Sequence, residues 1–210
     1  MKKFFVYLMT AFAVVAFNAC SDEDPVTEEP ITDTSETPDN ADESDESSGA
    51  ARNILIAYFS WSGNTQAVAE RISELTGGTL YRIEPAVPYP TDYTACTEVA
   101  LEERDTNARP EIATSVENMD QYDTVFIGCP VWWHTAPMII STFAESYDFT
   151  DKTVIPFCTY ASTYRDETLA RIMELTPGAT HLAGWGVSGR NTNGVEAWLR
   201  EIGILENEES

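Results

Sequence analysis

Three hydroxyl side chains, one amide and one glycine stand together in Ser60-Trp61-Ser62-Gly63-Asn64-Thr65. Such groups hold an anion rather than cut a bond: hydroxyls donate O–H, and glycine lets the backbone approach closely. The run before them, Ile54, Leu55, Ile56, Ala57, Tyr58 and Phe59, is apolar without alternation, the pattern of a strand buried on both faces. After them, Ala67, Val68, Ile72 and Leu75 recur at helical spacing as far as Gly77-Gly78. The cluster is therefore a strand-to-helix turn. A helix start offers about four unpaired N–H groups and the positive end of the dipole, so the turn suits a phosphate. No Lys or Arg lies between Arg52 and Arg71, and the glycine spacing is not G-x-G-x-x-G. Neither a triphosphate loop nor a dinucleotide fingerprint is present, so a terminal monophosphate suits the turn better; the alternative is a tight turn whose Ser and Thr serve as helix caps.

Two further loops carry residues of chemical interest. Pro130-Val131-Trp132-Trp133-His134-Thr135-Ala136-Pro137 follows a second apolar run, and two adjacent tryptophans in a loop call for a flat partner. His134, in that loop, is the candidate proton donor, whereas His181 lies inside an expected strand and reads as structural. Thr159-Tyr160-Ala161-Ser162-Thr163-Tyr164-Arg165 follows a third apolar run. No spaced Cys and His cluster of the kind that binds a metal is present, and no GxSxG elbow. Cys129 and Cys158 each end an apolar run, where a pair between them is conceivable.

The elements that must position these loops alternate. Strands are expected at 54–59, 79–84, 123–129, 153–159 and 180–187, and helices from 67 to the Gly77-Gly78 stop and at 92–104, 137–147, 166–175 and 195–202. That alternation implies a five-stranded parallel sheet with helices on both faces, for which the order 2-1-3-4-5, one of the common doubly wound orders, is expected. Ligands of such sheets bind beyond the carboxyl ends of the strands, beside the switch between strands 1 and 3. The loops after strands 1, 3 and 4 should then form the site.

These residues resemble the flavodoxin family. Ser60 to Thr65 is similar to its phosphate loop, Ser/Thr-x-Thr-Gly-Asn-Thr, with Ser62 for a threonine; the Trp132-Trp133 loop and the strand from Thr153 to Thr159 resemble flavodoxin-like lipoproteins. The resemblance runs from about residue 53 to 204 and implies a three-layer flavodoxin-like α/β sandwich binding FMN. Ser60, Ser62, Asn64 and Thr65, with Trp61 and Gly63 between them, would hold the phosphate. Trp132 or Trp133 would cover the flavin ring, and backbone of Pro130, Val131, His134, Thr159, Tyr160 and Ala161 would meet its polar edge. Where the family has a Ser/Gly-rich turn, this chain has no glycine from 160 to 165, so Tyr160 or Tyr164 either stacks on the ring or fills the site. The 130–137 loop also lacks glycine. Flavodoxins that stabilise the one-electron state commonly flip a glycine peptide there, so two-electron chemistry is expected here.

The remaining sequence concerns location. Lys2 and Lys3 precede an apolar stretch from Phe4 to Phe17 and the sequence Asn18-Ala19-Cys20, which reads as an export signal over 1–19. Phe17-Asn18-Ala19-Cys20 resembles a bacterial lipobox, implying a lipid on Cys20. Residues 20–52 form an acidic tether: 21–49 holds twelve of the chain's 35 acidic residues with no aromatic and no basic residue. Ser21-Asp22-Glu23-Asp24 is similar to the acidic export signal of some surface-exposed lipoproteins. The folded domain is expected at 53–205, with an acidic tail at 206–210. From residue 51 onward 23 acidic residues face ten basic ones, which opposes direct nucleic-acid binding and is compatible with basic redox partners. Two functions are expected: an FMN-binding redox protein, carrying electrons to a partner protein or reducing a small acceptor such as a quinone; or a membrane-tethered flavodoxin-fold binding module that has lost FMN or redox activity. Either would be exported and anchored by lipid to a bacterial membrane, facing the periplasm or cell surface.

Overall fold

Ile54–Tyr58 forms β1 with every residue buried, as an apolar run without alternation requires. The structure, a computed structural model, describes residues 52–206. The expected signal peptide, Cys20, the expected tether up to residue 51 and the expected tail from 207 lie outside the described residues. β1 is followed by α1 (Asn64–Thr76), β2 (Thr79–Arg82), α2 (Tyr93–Asp105), β3 (Thr124–Pro130), α3 (Met138–Glu145), β4 (Thr153–Tyr160) and α4 (Arg165–Leu175). β5 (Thr180–His181), β6 (Trp185–Ser188) and α5 (Val195–Glu201) complete the chain. The helix boundaries have local causes. Gly77 closes α1 in the left-handed conformation, donating its N–H to Ser73 O, and Asp92 caps α2 by accepting from Ala95 N at 2.9 Å.

All pairings between named strands are parallel, in the order β2-β1-β3-β4-β5. Side chains alternate across the sheet, and each face is sealed by its own helices. Leu55, Val125 and Ile127 pack with Ile139, Ile140 and Phe143 of α3 and Ile172 of α4. Ile54, Ile56 and Phe126 pack with Val68 and Ile72 of α1 and Val195, Trp198 and Leu199 of α5. At the centre Gly128 lies opposite Phe157, whose ring fills the space a side chain would need: a Cβ on Gly128 would sit 2.0 Å from Phe157 Cζ. Cys129 and Cys158 are also register partners. Both are free and fully buried rather than bonded to each other. Burial pushes both thiols up, that of Cys158 to about 12.

The expected fifth strand at 180–187 is two strands. β5 pairs with Val154 and its neighbour, β6 only from Phe157 onward. The reason lies in β4. Thr180 N donates to Lys152 O, Leu182 N to Val154 O and Gly189 N to Tyr160 O, so even-numbered residues of β4 face this edge. At Pro156 there is no N–H to donate, and the ladder breaks. Gly184 passes so close that a Cβ there would meet Pro156 O at 2.8 Å.

Candidate functional site

The turn after β1 satisfies part of its own backbone. Ser60 Oγ, nearly buried, accepts from Gly63 N at 3.1 Å and Gln66 N at 3.3 Å. Gly63 takes φ +83°, a conformation glycine adopts without strain. No acceptor among the described residues meets the N–H groups of Ser62, Asn64 or Thr65. These are the first-turn donors that a helix leaves open, so the cradle fits an anion. Two arginines that sequence order keeps far away stand beside it. Arg82 of β2 donates to Ser60 O at 3.3 Å, and Arg190, beyond β6, lies 3.5 Å from Ser62 O.

The Trp132-Trp133 loop is a tight hairpin. Trp132 N donates to Thr135 O at 3.0 Å and Thr135 N to Trp132 O at 3.1 Å. Its two central residues, Trp133 and His134, take φ of 45° and 73°, the pattern of a type I′ turn that usually selects Asn and Gly. A side chain there costs about 1–2 kcal/mol per residue. Specific contacts offset it. Trp133 Nε1 donates to Thr97 O at 2.8 Å, Arg104 lies 5.4 Å from the ring centroid, and His134 stacks on Tyr164 with centroids 3.9 Å apart. The left-handed region is thus occupied here without glycine, so the absence of glycine from this loop does not by itself support the expected two-electron chemistry.

The two tryptophans differ. Trp132 is wedged edge-on against Phe59 and Tyr89, with centroids 5.2 and 5.0 Å apart. Trp133 remains 38% exposed. On the third loop, Thr159 Oγ1 is 2.9 Å from Thr65 Oγ1, both buried. Tyr160 O accepts from Gly189 N, and Ala161 O from Ser188 Oγ at 3.3 Å.

These loops enclose a cleft of about 700 Å³ at the carboxyl edge of the sheet. Trp61, Ser62, Asn64, Pro130, Val131, Trp132, Trp133, His134, Thr159, Tyr160 and Ala161 line it. Of the other expected site residues, Ser60 and Gly63 support the turn from behind, Thr65 is buried against Thr159, and Tyr164 backs His134 from outside the lining. Tyr93, Cys96, Thr97 and Ala100 of α2, with Ser188 at the end of β6 and Gly189 after it, complete the wall and were not expected. Nothing in the helical spacing of 92–104 marks that wall; the signal available for 188–190 was the rule that strand carboxyl ends carry ligands. Behind Cys96, Tyr89 donates its hydroxyl to Glu103 at 2.8 Å. Burial holds the Glu103 carboxyl above its usual range against that hydrogen bond.

A parallel 2-1-3-4-5 sheet with an anion cradle at its first turn and an aromatic cleft at its carboxyl edge defines a flavodoxin-like protein. Residues 53–202 match the flavodoxin sequence model, and the chain belongs to that family. It is 35% identical to a candidate flavoprotein of Bacteroides eggerthii, covering 72% of this chain and 98% of that one, with a TM-score of 0.64. A second candidate flavoprotein, from Bacteroides uniformis, is 34% identical over 71% of this chain and 99% of its own, with the same TM-score of 0.64. A Lactobacillus acidophilus flavoprotein solved in complex with FMN is 26% identical over 70% of this chain and 99% of that one, with a TM-score of 0.59. No curated protein matches the chain.

Proposed function

We propose that this chain is an FMN-binding redox protein, carrying electrons to a partner or reducing a small acceptor such as a quinone. The observation that carries it is the continuity of the cleft. The N–H donors of Ser62 and Asn64, without acceptors among the described residues, and the partly exposed Trp133 line one cleft, whose volume is typical of small-ligand sites, about 300–1,000 Å³. The turn would hold the phosphate. Trp133, pinned by Thr97 and Arg104, would cover the ring, while Trp132 keeps the loop on the sheet. The N–H groups of Trp133 and His134, without acceptors among the described residues, are available to the ring's polar edge. FMN supplies the redox chemistry; the protein binds, orients and shields it. His134 lines the cleft and could hand a proton to a bound acceptor.

Fluorescence titration with FMN, FAD and ATP tests this reading: FMN should bind most tightly and colour the protein yellow. A chain that stays colourless with excess FMN is instead a flavodoxin-fold binding module. For location, we propose export and lipid attachment through Cys20, on the strength of the residues preceding it. Cys20→Ala should release the protein from membranes or leave it unprocessed; unchanged membrane association would sink the anchor.

A further inference from the structure

Seven arginines among the described residues are held in ion pairs with carboxylates. Lys152 and Arg52 are taken up by backbone carbonyls. Arg190 differs. It is exposed, has no carboxylate partner among the described residues, and meets only Ser62 O, at a long 3.5 Å. In a body where 23 acidic residues face ten basic ones, Arg190 is the one described cation held neither by a carboxylate nor by a carbonyl closer than 3.5 Å. This one stands over the phosphate turn.

Its position is built. Gly189 N donates to Tyr160 O and fixes the start of the loop to β4, and Gly189 takes φ of 67° just before Arg190. Arg190 comes so near Gly63 that a Cβ there would lie 3.1 Å from its guanidinium nitrogen. Arg82 flanks the turn on the other side, but its charge is shared with Glu84 at 3.2 Å. The segment 60–65 is uncharged in sequence; the space around it is not.

We propose that Arg190 is a ligand of the cofactor phosphate and sets the preference of this site for FMN over the unphosphorylated flavin. This rests on the FMN reading above. A guanidinium presents donors in a rigid fork that matches two phosphate oxygens, and its fixed charge offsets the repulsion between a dianion and an acidic protein. The weak contact to Ser62 O is readily exchanged for that anion.

The test compares FMN with riboflavin, the same ring without phosphate, on the full chain and its Arg190→Gln and Arg190→Lys variants. Arg190→Gln should weaken FMN by about 10- to 100-fold, the worth of one hydrogen bond to a charged group, and leave riboflavin within roughly twofold. Arg190→Lys should recover part of the loss, keeping the charge without the fork. Riboflavin binding also reports that the variants are folded. Equal losses for both ligands, or no loss for FMN, overturn the role of Arg190. Failure of the unmodified chain to bind FMN overturns the cofactor reading, and this inference with it.

Discussion

Thr65 Oγ1 and Thr159 Oγ1 lie 2.9 Å apart in the buried seam between the first turn of α1 and the end of β4. One hydroxyl donates to the other, so the phosphate turn and the third site loop share a hydrogen bond before any ligand arrives. Thr65→Val and Thr159→Val should each destabilise the fold by about 1–2 kcal/mol, because each strands a buried hydroxyl. The double variant should cost clearly less than the sum, giving a coupling of about 0.5 kcal/mol or more. Urea unfolding of the four proteins measures it; strict additivity would show that the two hydroxyls do not depend on each other.

The tryptophans should separate stability from binding. Trp132→Ala removes a ring wedged between Phe59 and Tyr89 and should cost about 3 kcal/mol. Trp133→Ala loses an exposed ring and should cost about 1 kcal/mol or less, while lowering FMN affinity several-fold through the lost ring contact. Thermal melts and flavin titration of both variants decide it, and the reverse pattern would reassign the stacking residue.

Gly128→Ala should destabilise by about 1–3 kcal/mol or more, since the new methyl must displace the Phe157 ring inside a filled layer. Gly128→Ala combined with Phe157→Leu should recover part of this. A neutral single substitution would mean that the sheet shifts without cost.

Glu103 gives a pH dependence of known sign. Burial raises its carboxyl pKa in the folded protein, so the native state keeps a proton that the unfolded chain has lost. Its contribution to stability therefore falls as pH rises from the usual carboxylate range through the raised value. Glu103→Gln removes that loss and retains an oxygen to accept from Tyr89. Relative to the unmodified chain, the variant should be favoured more at roughly pH 8 than at roughly pH 4; a difference independent of pH would show the carboxyl to be unperturbed.

Much of this architecture was legible because the signals were local. The runs beginning at Ile54, Thr124 and Thr153 are mostly apolar and without polar alternation, and Asp92 and Gly77 mark helix ends by their own chemistry. The hydroxyl turn and the tryptophan loop were legible for the same reason. The split of the last strand was not, because it depends on Pro156, one strand away. Nor was the charge at the turn: Arg190 reaches it only when β6 ends beside β1's loop, and no pattern within residues 54–76 carries that information. The left-handed Trp133 and His134 ran against residue preference, held there by Thr97, Arg104 and Tyr164, which lie in other segments.

The interruption at Pro156 also bears on self-association. An uninterrupted edge strand exposes a row of unpaired N–H and C=O groups on which a strand of another molecule can grow. Here that edge consists of two residues, a bend at Gly184 pressed onto Pro156, and four residues more, so no stretch is long or straight enough to template a neighbour. The opposite edge, β2, is itself only four residues. Edges this short offer a strand of another molecule little to pair with, which disfavours edge-to-edge association.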